Sequence, residues 1–287
     1  MHEIDQQQLR RANDRIAAGF DAADFFCAEV RGRLLERLQL MTLEPGVILD
    51  LGAGTGAVTR ELQRLYPDAA CIALDWSPAM LREAPADTAH RICADGHHLP
   101  LADDSVDIVV SNMMLPGCND PQRIFSEAQR VLRSPGLFLF NTLGPDTLRT
   151  LQRAWSKVDD APHVHVFADM HNVGDALVQA GFREPVMDVE HVRINYRDLN
   201  RLFADLRAVG ATNRLQNRRR GLTTPRLWQR MLAAADQLRN EDGKFPVLAE
   251  LVTGQAWTGA PAAGVQMSDG EAHFPVSRLR GNRMGFD

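Results

Sequence analysis

The chain has 287 residues, 45% hydrophobic and 24% charged, which is apolar material enough for one large core. Its 32 Lys and Arg against 37 Asp and Glu give a formal charge of −5, without the basic excess that a nucleic-acid partner asks for. No apolar run approaches the ~20 residues that span a bilayer, Met1 to Arg11 is too polar for a secretory signal, and Cys27, Cys71, Cys93 and Cys118 form no C-x-x-C pair. A reduced cytoplasmic setting is expected, with Cys71 and Cys93 as buried thiols, no metal site, no nucleic-acid partner and no membrane span.

Residues 1–44 read as an N-terminal helical cap. Val47 to Leu51 is a short apolar strand run that ends in glycines. Ala57 to Tyr66 follows as a helix, stopped by Pro67. Ala70 to Leu74 is the next strand, and Asp75 ends it. Ser77-Pro78 then sets an N-cap and first helical residue for a helix over Ala79 to Ala84. Strands follow at His90 to Cys93 and Val106 to Ser111. Pro121 to Leu132 is an amphipathic helix, with Ile124, Phe125, Ala128 and Val131 on one face. Leu137 to Thr142 is a fifth strand. This alternation predicts an α/β fold, a doubly wound, mostly parallel sheet covered on both faces.

Beyond residue 150 the pattern changes. Val173 to Ala180 is helical and ends at Gly181. Pro185 to Tyr196 and Val247 to Trp257 read as an antiparallel strand pair. Between them lies a helical insertion, about residues 198–240, with helices over Asp198 to Val209 and Pro225 to Arg239. One domain over residues 1–257 is expected. Residues 258–287 form a C-terminal tail, flexible over its Gly-, Ala- and Pro-rich start at Thr258 to Gly270.

Asp50-Leu51-Gly52-Ala53-Gly54-Thr55-Gly56 is the sharpest feature. It follows a strand and opens a helix, the context a glycine-rich loop needs. Glycines let the backbone approach a ligand closely. The spacing is G-x-G-x-G rather than the dinucleotide G-x-G-x-x-G. Asp50 would repel a pyrophosphate and attract an ammonium or sulfonium group. S-adenosylmethionine carries both of those cations.

The later strand ends agree. Asp75, with Trp76 beside it, is placed to accept from ribose hydroxyls. Asp95, in Cys93-Ala94-Asp95-Gly96, is placed to accept from an adenine amino group. Asn112 and Met113, with Met114 and Leu115, are expected to floor the reacting methyl.

With these motifs the chain resembles the class I S-adenosylmethionine-dependent methyltransferases, with their seven-stranded Rossmann-like sheet. It is more closely similar to the malonyl-acyl-carrier-protein O-methyltransferases of biotin synthesis. The narrower resemblance rests on Gly144-Pro145-Asp146-Thr147-Leu148, Phe167-x-Asp169-Met170-His171, Gly174-Asp175-Ala176-Leu177, Pro185 to Glu190 and Arg218 to Thr223. It implies methylation of the free carboxylate of a malonyl thioester. A carboxylate is ionised at neutral pH, so no general base is expected. It also implies acyl carrier protein as partner, and substrate-side roles for Phe20 and His171. Arg214, Arg218, Arg219, Arg220 and Arg226 would dock the acidic carrier; a solvated charged turn is the alternative reading.

The chain departs from the family pattern at Asn13, Phe20 and Gly117, where an aromatic or hydroxyl group is usual. Two further readings therefore stay open. One is methylation of another small or lipid-like acceptor. The other is an assembly or hydroxylase-like protein similar to the mitochondrial complex I assembly factors.

Overall fold

The computed structural model describes residues 3–259, apart from 87 and 89, and two short strands at Gln266–Ser268 and Glu271–His273. The chain opens with α1 (Gln6–Ile16) and α2 (Phe25–Gln39). The alternating part follows as β1 (Val47–Leu51), α3 (Ala57–Leu65), β2 (Ala70–Asp75), α4 (Pro78–Glu83), β3 (His90–Cys93), β4 (Val106–Asn112), α5 (Pro121–Val131) and β5 (Leu132–Leu143). The remainder is α6 (Arg149–Ser156), α7 (Met170–Gln179), β6 (Arg183–Tyr196), α8 (Leu199–Ala208), α9 (Pro225–Asp236) and β7 (Phe245–Trp257).

Seven strands form one sheet in the order β3-β2-β1-β4-β5-β7-β6. The first five are parallel, and β7 runs antiparallel between β5 and β6. The chain steps outward from β1 to β3, then crosses back to place β4 on the other side of β1. That reversal opens a crevice beyond the carboxyl ends of β1 and β4, where open α/β sheets take ligands.

Sequence chemistry explains the boundaries. Ser77 caps α4 by accepting from Met80 N–H at 3.2 Å, with Pro78 at its first position. Asp169 caps α7 through His171 N–H, so that helix starts three residues before the expected Val173. β5 reaches back to Leu132, which pairs with Val106; a register shift at Val106/Ile108 absorbs the Ser134-Pro135-Gly136 bend. β6 begins at Arg183, two residues early, with its own shift beside Pro185, tolerable because β6 is an edge strand. Of the tail, Thr258 is buried and donates its hydroxyl to Arg133 C=O, while most of Thr258 to Gly270 lies outside the described residues.

Three large apolar clusters and a small one at Ala53, Ala73 and Leu81 hold the fold among the described residues. On one face, Phe125 of α5 meets Phe138 and Phe140 of β5 at 5.8 and 5.6 Å between ring centroids. On the other, Leu34, Leu35 and Leu38 of α2 pack with Ile48 and Leu62. The third joins α6, α8, α9 and the start of β7 through Trp155, Leu202, Met231 and Phe245. The insertion thus has its own core, seated on the antiparallel end of the sheet. One expectation fails here: Cys93 is exposed, because β3 is the other sheet edge, whereas Cys71 on β2 is buried. No described helix is long and apolar enough to cross a membrane.

Candidate active site

A cavity of about 600 Å³ opens at the crevice between β1 and β4 and runs under the insertion. Gly52, Ala53 and Gly54 form one wall. Gly52 has φ +80°, and a Cβ there would sit 2.5 Å from the Met114 side chain, so both conformation and space demand glycine. Gly52 and Ala53 donate their N–H groups to Leu74 C=O at 2.8 and 2.9 Å, which ties the loop to β2. Gly56, also left-handed at φ +78°, is not on the wall; it packs against Ala84 and opens α3.

Asp75 lines the cavity at the end of β2 and is 8% exposed. Its two oxygens accept from Gly54 N–H at 2.9 Å and Ser77 N–H at 2.8 Å. Burial raises its pKa, and these N–H groups pull against that rise. Each carboxylate oxygen keeps a further lone pair for a ligand hydroxyl. Trp76 follows on the same wall.

Asp95 and Gly96 also line the cavity. Asp95 Oδ1 accepts from His97 N–H at 2.9 Å and meets the His97 ring at 2.6 Å. Partial burial raises the Asp95 carboxyl, but His97's hydrogen bonds and the charges of His97 and His98 outweigh it and leave the pKa below the usual value.

Asn112, the last residue of β4, and Met113 just after it lie on the wall. Asn141 of β5 locks both, donating to Asn112 Oδ1 at 2.8 Å and accepting from Met113 N–H at 2.7 Å. Met113 takes φ +60°, a conformation unusual for a long side chain and common where a ligand site imposes it. Leu115 does not join them: its side chain turns into the core beside Phe125.

Asp50 differs from its expected place as well. Its carboxyl is buried behind the loop, not on the cavity wall; Oδ2 accepts from Thr59 at 2.6 Å and Oδ1 has no partner among the described residues. Burial pushes its pKa up to about 7, against the lowering pull of Thr59. It is therefore a weaker fixed negative charge than an exposed aspartate.

The second half of the cavity belongs to α1 and the insertion. Phe20 and Asn13 line it, and Gly117 is covered by α1, with Leu9 at 3.0 Å from a hypothetical Cβ and Gln6 donating to Gly117 C=O at 2.9 Å. A leucine thus occupies the place beside Gly117. Trp155 is core and also lines the cavity, stacked on His163 at 3.8 Å. His171 is absent from this wall: it starts α7 with its side chain 82% exposed.

The arginines separate. Arg214 is buried on the cavity wall, not on a docking face. Arg218 is held by Gln8 at 2.8 Å and by Leu215 C=O. Arg219, loosely paired with Asp159 at 3.5 Å, and Arg220 and Arg226 are exposed. Outside the cavity, ligand-type atoms of Asp146, His191 and Glu250 lie within 4.8 Å of one another, a grouping the sequence pattern did not single out.

Two wall residues were missed. Asp24, at the start of α2, is buried with Oδ2 paired to Arg31 at 2.8 Å and Oδ1 without a partner among the described residues. Their seven-residue spacing puts both on one face of the helical turns, the one sequence signal that was present.

Fold and site together define a class I S-adenosylmethionine-dependent methyltransferase. Residues 49–140 match the methyltransferase-domain family, and an S-adenosylmethionine-dependent methyltransferase of Thermotoga maritima superposes with a TM-score of 0.53 at 15% identity, over 88% of this chain and 100% of that one. The malonyl-acyl-carrier-protein O-methyltransferase of Gallionella capsiferriformans is 43% identical, over 90% of this chain and 92% of its own. That of a Methylovorus species is also 43% identical, over 93% of each chain. The chain belongs to the malonyl-acyl-carrier-protein O-methyltransferase family.

Proposed function

We propose that this protein methylates the free carboxylate of a malonyl thioester carried on acyl carrier protein, in the cytoplasm, using S-adenosylmethionine. The observation that carries the reading is one continuous cavity with two chemistries. Its strand-end half offers the Gly52 loop and three aspartates; its insertion half is largely apolar and contains a buried arginine.

The strand-end half suits the cofactor. Gly54, with open space where a Cβ would stand, leaves room for backbone contact, Asp75 has lone pairs for two hydroxyls, and Asp95 is an acceptor for an amino group. Asp24, whose Oδ1 has no partner among the described residues, and Arg31 suit the ammonium and carboxylate of an amino-acid end. When bound, S-adenosylmethionine supplies an electrophilic methyl, which a carboxylate oxygen accepts while the C–S electron pair stays on sulfur.

The protein's own part is alignment and exclusion of water. The acceptor is already ionised, so no side chain has to remove a proton. Asn141 fixes the Asn112–Met113 floor, and α1 roofs the cavity through Leu9 and Gln6, which keeps the nucleophile poorly solvated. The family's named substrate supports this acceptor over a lipid-like one. Incubation with labelled S-adenosylmethionine and malonyl-acyl carrier protein is expected to give a base-labile methyl ester. Protein that binds S-adenosylmethionine yet forms no such ester would reject the reading.

A further inference from the structure

Arg214 combines burial, charge and the lack of any carboxylate partner. Its residue is 8% exposed and lines the insertion half of the cavity. Its guanidinium makes no ion pair with any described residue; Nη1 donates only to Gly210 and Thr212 C=O groups, and Nε and Nη2 donate to no described protein acceptor. A buried cation without an anion is costly, and proteins keep one where a ligand supplies the missing charge. The nearest charges that act on it are Arg15 and Arg218, both cations. Burial and these two charges hold its pKa below the usual arginine value, but an arginine side chain keeps its proton in proteins.

Of the other charged groups on the cavity wall, Arg207 has no ion pair among the described residues but is exposed to solvent, unlike Arg214, and the rest are paired or of the wrong sign. Arg31 is paired with Asp24, and Asp205 accepts from Tyr196 and Arg201. Burial, then Arg214, lowers the pKa of His165, which disfavours a second cation beside Arg214. Asp75 and Asp95 on the strand-end side would repel an anion.

Arg214 is also fixed in place. Its C=O accepts from Asp5 N–H at 2.8 Å, and its N–H donates to His165 Nε2 at 3.3 Å. Ile4 bridges to Leu215 next door and exchanges two hydrogen bonds with Asn119, at 2.9 and 3.0 Å. The N-terminal segment thus staples the Arg214 loop to the chain just beyond the end of β4, where the methyl acceptor must lie.

We propose that Arg214 receives the free carboxylate of the malonyl group and orients it for methylation, a role that rests on the malonyl reading above. One carboxylate oxygen on the guanidinium leaves the other for the methyl group. Esterification removes the charge, so the product loses its ion pair and is released. The same contact selects a thioester that ends in a carboxylate over its acetyl counterpart.

The test measures binding of malonyl- and acetyl-acyl carrier protein to the full chain with S-adenosylhomocysteine present, which prevents turnover. The wild type is expected to prefer the malonyl form about ten-fold or more. Arg214→Gln should bring malonyl binding down to the acetyl level, leave acetyl and S-adenosylhomocysteine binding unchanged, and lower kcat. Arg214→Lys should restore part of the preference. A preference that survives Arg214→Gln, or an equal loss for both carriers, overturns the proposal. If neither variant folds, a wild-type crystal with S-adenosylhomocysteine and malonyl-pantetheine decides: a carboxylate away from Arg214 sinks it. Methyl-ester formation by the wild type is scored separately, so failure of the malonyl reading is distinguishable from failure of Arg214.

Discussion

The two halves of the cavity are built by different means. The strand-end half is set by backbone: positive-φ glycines, N–H groups aimed at Asp75, and side chains at the tips of parallel strands. The insertion half is set by contacts between segments far apart in the chain, such as Asp5 with Arg214 and Gln8 with Arg218. A half made of local backbone tolerates little change and serves a ligand common to many enzymes. A half made of distant contacts can vary, and it is where Asn13, Phe20 and Gly117 depart from the family pattern.

Asp75 puts the sharpest test to that contrast. Asp75→Ala removes the acceptor for Gly54 and Ser77 N–H as well as the hydroxyl acceptor. S-adenosylmethionine binding should weaken by about 1–3 kcal/mol, the cost of stranding hydrogen-bonded groups. Calorimetry measures it. Unchanged affinity would mean that the loop does not hold the cofactor, and the two halves would lose their distinct roles.

The outer surface of the insertion offers a smaller effect. Arg219, Arg220 and Arg226 are the exposed remnant of the expected docking cluster. Changing all three to Ala should raise the KM for malonyl-acyl carrier protein several-fold at low salt, at about 0.2–1 kcal/mol for each exposed contact, while S-adenosylmethionine affinity stays put. The difference should shrink as salt rises. Equal KM values at low salt would place carrier docking on another face.

The same division explains what was legible in the sequence. Asp75, Asp95 and Asn112 stood out because strand ends are local features that hydrophobic runs and breakers mark. Asp50 and Leu115 were assigned to the ligand because sequence spacing says which residue ends a strand but not which way a side chain turns; one is covered by Thr59 and the other by the Phe125 core. Arg214 was grouped with its exposed neighbours because a run of arginines reads as surface. Its burial on the cavity wall goes with long-range pairing of Ile4 with Leu215 and of Asp5 with Arg214, which no local pattern marks. His171 went the opposite way, its motif explained by the Asp169 cap on α7.

Asp50 sharpens the comparison from behind the loop. Burial pushes its carboxyl up to about 7 in the folded chain, against 3.8 for an aspartate in the unfolded chain. Between those values the folded chain binds more protons than the unfolded chain, so this group's contribution to stability falls as pH rises from about 4 to about 7 and levels off above. Asp50→Asn cannot ionise but still accepts from Thr59. Its melting temperature should approach or trail the wild type near pH 4 and gain on it steadily up to pH 7, with a constant difference beyond. Asp75, whose pKa is also raised, repels an ionised Asp50; Asp50→Asn removes that repulsion, which adds to the variant's gain as pH rises. A pH-independent gap between the two melting curves would mean that Asp50 is ionised throughout, compensated by charge that reaches it from Arg31, and the backbone-built half would then carry a permanent anion beneath its glycine loop.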